Sequence, residues 1–152
     1  MVRILTILSV STILACSSNA TFGVNNEKKY SQHLDLESIK IMHNGDFSGK
    51  ISSDESIETC KKFVLSESDV LIFFTTARSA TLREYEHDLN ASNCYASGTF
   101  VSKSGASGEW KIDRSRRGFL YTQNGEPEYF YCGECNNPLF YEPCDIDCVH
   151  GE

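Results

Sequence analysis

The sequence predicts an α+β fold: an antiparallel β-meander of four to five strands, with one or two helices packed on one face, stapled by disulfides. Three observations predict it. β-prone runs at 94–101, 110–113, 119–122 and 128–132 are separated by Gly-rich or Asn-Gly breaks. One stretch, 66–77, carries apolar residues at helical spacing. Six cysteines follow a segment that reads as an export signal, and an even set in an exported chain reads as disulfides.

Residues 1–20 are that signal. Arg3 supplies the positive start, Ile4 to Ala15 the apolar stretch, and Ser18-Asn19-Ala20 the small residues read by a signal peptidase. The apolar stretch is too short to span a bilayer core, which needs about 20 residues. Ile13-Leu14-Ala15-Cys16 also resembles a lipobox, so membrane attachment is expected only through a lipid anchor at Cys16, against release by cleavage after Ala20. Residues 21–32 form a polar leader with little apolar surface to bury. The α+β domain is placed at 33–135, and residues 136–152 form a cysteine-bearing tail packed on it.

Within the domain, Leu34 to His43 reads as a strand with a bulge, ended by a turn at Asn44-Gly45-Asp46. Ile57 to Leu65 alternates and reads as a strand. Ser66 with Asp69 three residues on predicts a helix start, and Val70, Phe73, Phe74 and Ala77 form one helical face, with Arg78 at the C-terminal end. Thr81 to Leu89 reads as a short second helix or an ordered loop. The meander follows, with Asn124-Gly125 as its clearest hairpin signal.

Charge excludes some functions. The chain of 152 residues has a net charge of −7, which becomes −8 once Arg3 leaves with the signal. Such a field repels nucleic acid and anionic membrane surfaces, so neither is an expected partner. No Lys or Arg follows Arg117, while Glu126, Glu128, Glu134, Glu142, Asp145, Asp147 and Glu152 do.

The densest basic feature, Arg114-Ser115-Arg116-Arg117, lies between two predicted strands and is expected to project from a loop. With Trp110 nearby, Arg114, Arg116 and Arg117 are the candidate binding residues, suited to an acidic protein surface or a small ligand. A solvated charge run is the competing reading.

Cys60, Cys94, Cys132, Cys135, Cys144 and Cys148 are the expected disulfide cysteines, with the pairing open. Cys132-Gly133-Glu134-Cys135 has the spacing of a redox dithiol, but Asn136-Asn137-Pro138 follows where such a site needs a helix. Cys132, Cys135, Cys144 and Cys148 could form a zinc tetrathiolate only as free thiols, which an oxidising compartment disfavours. Glu142, Asp145 and Asp147 lack the loop of a Ca²⁺ site. No metal or cofactor is expected. His87 among Glu84, Glu86 and Asp88 is the one general-base candidate, and no nucleophile accompanies it. No catalytic residue is therefore assigned.

Cys60-x2-Phe63, Phe73-Phe74-x2-Ala77, Cys94-Tyr95-x2-Gly98, Trp110-x-Ile112-Asp113, Gly118 and Tyr131-Cys132-x2-Cys135 together resemble small uncharacterised exported proteins of Gram-negative bacteria. The resemblance covers 57–135 and implies a periplasmic or lipoprotein-like setting, with no activity attached. The expected function is an exported binding or interaction protein of the bacterial envelope. The alternatives are a periplasmic thiol–disulfide redox protein or a small hydrolase.

Overall fold

A computed structural model describes residues 35–123 and 125–141. The expected signal and leader, Asn124, Cys144, Cys148 and the acidic residues beyond 141 lie outside the described residues.

Among the described residues six strands form one open sheet: β1 (Leu36–Phe47), β2 (Arg78–Ala80), β3 (Cys94–Ser102), β4 (Ser107–Asp113), β5 (Arg117–Thr122) and β6 (Glu128–Tyr131). Their order across the sheet is β1-β3-β4-β5-β6-β2, and every paired neighbour is antiparallel. The α+β class and the meander β3 to β6 hold. The strand count is corrected from four or five to six, because β2 and β6 pair through Ser79 and Phe130. Arg78 was expected at the end of the helix, but Ala77 turns extended after α2 (Glu67–Thr76) and Arg78 opens β2.

β1 is longer than its apolar pattern. The expected turn at Asn44-Gly45-Asp46 is a bulge inside the strand. Gly45 supplies φ +72° there, a region that disfavours side chains. The Asn44 side-chain amide donates to the Leu65 carbonyl at 2.8 Å and accepts the Leu65 N–H at 2.9 Å. It thus satisfies a backbone that no strand reaches.

The strand expected over Ile57 to Leu65 is corrected to one helical turn, α1 (Ile57–Cys60). Ser56 caps it, its Oγ accepting the Thr59 N–H at 3.2 Å. The turn holds Cys60 against the start of β3, where it is bonded to Cys94 with Cα atoms 4.7 Å apart. Ile57, at the start of the turn, is 56% exposed.

α2 begins as the sequence indicates. The Asp69 N–H donates to Ser66 Oγ at 3.2 Å, and the Ser66 N–H donates to Asp69 at 2.8 Å. Such a cap stabilises by about 1 kcal/mol. Its Val70, Phe73 and Phe74 are fully buried on the sheet face formed by Ala96, Trp110, Ile112, Leu120 and Phe130. Phe74 meets Phe130 edge-on at 5.4 Å. Phe73 lies so close to Gly118 that an added Cβ would stand 2.6 Å from its ring. Glycine is therefore the residue that lets α2 settle onto β5.

The second helix, expected over Thr81 to Leu89, is a π-helical turn, Glu84–Asp88. It does not join α2. Its Tyr85 ring lies 4.7 Å from Tyr129 and 6.5 Å from Phe119, residues that alternate with the core positions. The expectation that helices share one face is corrected accordingly: α2 covers one face and the π-helical turn caps part of the other.

Candidate binding face of the sheet

The Arg114–Arg117 segment is the β4–β5 turn, but it does not project. Arg116 and Arg117 are only 4% and 8% exposed. Asp113, itself buried, organises the turn. Its Oδ1 accepts the Ser115 and Arg117 N–H groups at 3.0 and 3.3 Å, and its Oδ2 accepts Arg117 Nε and Nη2 at 2.9 and 2.7 Å. Burial pushes the Asp113 carboxyl up, and the Arg117 guanidinium pulls it back. Arg117 also donates to the Tyr85 carbonyl and stands over the Tyr85 ring at 4.5 Å, which holds the π-helical turn down. Burial, with Asp113 adding to it, raises the Tyr85 phenol to about 12.

The other two arginines fasten the following segment. Arg116, at φ 68°, donates to the Tyr141 carbonyl at 2.7 Å and the Gly133 carbonyl at 2.9 Å. Arg114 donates to the Leu139 carbonyl at 3.3 Å and lies over the Tyr141 ring at 4.2 Å. Tyr141 in turn donates its hydroxyl to Glu55 at 2.7 Å. The exposed Arg patch is thus corrected: these guanidinium groups bind their own chain. The sequence signal for this was Asp113 at the head of the run, four residues before Arg117. Trp110 is likewise on the core face, its indole N–H donating to the Thr99 carbonyl at 3.1 Å.

The other candidates are placed as follows. Cys132 and Cys135 are bonded to each other and are 1% and 5% exposed, which leaves little access for a thiol partner and no free thiolates for zinc. His87 lies at the surface with Nε2 3.9 Å from Glu86. Among the described residues no group of His, Cys, Asp and Glu is spaced to hold a metal ion.

The site that sequence reading left unnamed lies on the sheet face opposite α2. Antiparallel register aligns one row across all six strands: His43, Ser97, Lys111, Phe119, Tyr129 and Ala80. The aromatic end of the row is covered by Tyr85. The other end is open, forming a groove of about 400 Å³ that Met42 and Tyr95 also line. A smaller depression of about 260 Å³ continues past Thr99 and Glu109 to Tyr121.

Lys111 is the chemical centre of the groove. It is half-buried, and its ammonium stands 4.0 Å from the centre of the Tyr95 ring. The ammonium makes no hydrogen bond or ion pair among the described residues. Burial pushes its pKa down; Asp113 opposes this, while Lys50 and Arg117 add to it. Lys40, paired with Thr99, lies on the same face. The acids nearby are unequal in effect: Asp46 is held by His43 at 2.9 Å and Asp113 by Arg117, leaving Glu109 at the groove. The rim is therefore locally basic in an acidic protein.

The disulfides Cys60–Cys94 and Cys132–Cys135 accord with a non-reducing, exported setting. No helix among the described residues is long and apolar enough to cross a membrane. No protein-family model, no curated protein and no solved structure matches the chain.

Proposed function

We propose that this is an exported binding protein of the bacterial envelope, and that its binding surface is the open sheet face around Lys111. One observation carries the reading. A lysine with three N–H donors uncommitted to any acceptor among the described residues is half-buried in a concave, aromatic-lined groove. Partial burial of a cation costs free energy unless something offsets it. The rest of the molecule satisfies its buried charge closely, as Asp113 and Arg117 show. Ligand sites are the usual places where such unsatisfied groups converge with aromatic walls.

The resemblance to small exported proteins of Gram-negative bacteria supports a periplasmic or lipid-anchored setting, with attachment at Cys16 as the one route to a membrane. The thiol-redox alternative has less support, because both sulfurs of the CxxC are buried within their loop. A hydrolase at His87 has less still, since His87 does not line the groove.

Amide-resolved NMR of the disulfide-bonded chain, screened against a diverse set of small molecules and short peptides, tests the reading. The expected result is saturable shifts clustered on Ser97, Lys111 and Phe119. Shifts confined to other surfaces, or none with any compound, would reject this face as the site.

A further inference from the structure

The row across the sheet is chemically polarised. Ser97 and Lys111 lie on its β1 side, both able to donate hydrogen bonds, beside His43, whose Nδ1 is engaged with Asp46. Phe119 and Tyr129 lie on its β6 side under Tyr85. Directly opposed residues of an antiparallel pair hold their Cβ atoms about 5 Å apart. The donor pair Ser97–Lys111 and the Phe119 ring thus occupy successive steps of one ladder, within the span of a small molecule. Lys40 and Lys50 add positive charge around the donor end.

Resting on the binding reading above, we infer that the groove takes a small amphipathic carboxylate, an acid with an aryl or short alkyl body. Its carboxylate oxygens sit over Lys111 Nζ and Ser97 Oγ, and its apolar body lies against Phe119 with Met42 at the rim. A strongly hydrated dianion is a poorer match, because the groove wall next to Lys111 is the ring of Tyr95 rather than a second donor cluster. A neutral apolar ligand would leave the ammonium desolvated and unpaired, which is the more costly arrangement.

The probes are 4-phenylbutyrate and its neutral amide, 4-phenylbutanamide, titrated into the full disulfide-bonded chain with NMR detection. The acid should saturate the Ser97, Lys111 and Phe119 shifts, and the amide should bind about tenfold more weakly or worse, the effect of losing one charge-assisted bond. Lys111→Met should abolish the preference for the acid, while Lys111→Arg keeps it. Phe119→Ala should weaken both probes. Equal binding of acid and amide, or an unchanged preference in Lys111→Met, overturns the carboxylate inference while leaving the binding face standing. Saturation by neither probe overturns the inference, and the wider compound screen then decides the face separately.

Discussion

The Arg114–Arg117 turn and the Lys111 groove are the two basic regions of the meander, and they behave in opposite ways. The turn concentrates three guanidinium groups, and each is bound by a carboxylate or a carbonyl of its own chain. The groove holds one half-buried ammonium with an aromatic neighbour and no acceptor among the described residues. Density of charge along a sequence therefore says little about its availability. What decides is whether the register brings an acceptor to each donor. Asp113 sits at the end of β4 and meets Arg117 at the start of β5, whereas Lys111 faces Ser97 on one side and Phe119 on the other.

Breaking the turn should produce the largest effect. Asp113→Ala leaves Arg117 buried without its counterion and should cost about 3–5 kcal/mol in urea unfolding. The double variant Asp113→Leu, Arg117→Met removes both charges and should recover part of that loss. No recovery would mean the pair matters chiefly for positioning the turn. The disulfides come next. Removing Cys60–Cys94, which closes a loop with sequence separation 34, should cost about 3–4 kcal/mol. Removing Cys132–Cys135, with separation 3, should cost about 2 kcal/mol or less. Equal losses would show that the short bridge also anchors the Gly133 carbonyl for Arg116.

Acid should have a smaller, graded effect through Glu55. Burial alone would raise its carboxyl, but hydrogen bonds from Ser92, Tyr141, Asn93 and Ser53 hold it below its ordinary value of 4.5. Between the two values the unfolded chain binds more protons than the folded one. The stabilisation is complete above 4.5 and is lost as pH falls through the lower folded value. Glu55→Gln should flatten that part of a stability–pH curve, and an unchanged slope would reject Glu55 as its source. The smallest effect sharpens the comparison most. Lys111→Met should leave stability within about 0.5 kcal/mol of the parent. A loss like that of Asp113→Ala would show that Lys111 is a structural cation after all.

The legible parts of the fold were those with local chemical signals. Ser66 and Asp69 marked the start of α2, and alternation with Gly breaks marked β3 to β6. β2 was hidden because three residues directly after a helix carry no periodicity, and Arg78 suits a helix end as well as a strand. α1 was hidden because one turn is shorter than any period, so Cys60 and Phe63 passed as alternating strand positions. The candidate face was partly legible: Lys111 between Trp110 and Ile112 must point away from the core. Its significance was not, because the row from His43 to Tyr129 depends on how four separate pairings align, including the bulges of β1. The Arg run was misleading for the converse reason. Its acceptors are mostly backbone carbonyls at 85, 133, 139 and 141, which a sequence does not display as partners.

The irregularity of β1 has a consequence for how the margins of the sheet meet other chains. This strand is one margin of the sheet, and its register slips three times against β3. The opposite margin, β2, is three residues long. Neither offers a straight ladder onto which another chain could add. The same bulges that shape the groove therefore also guard the protein against templated self-association.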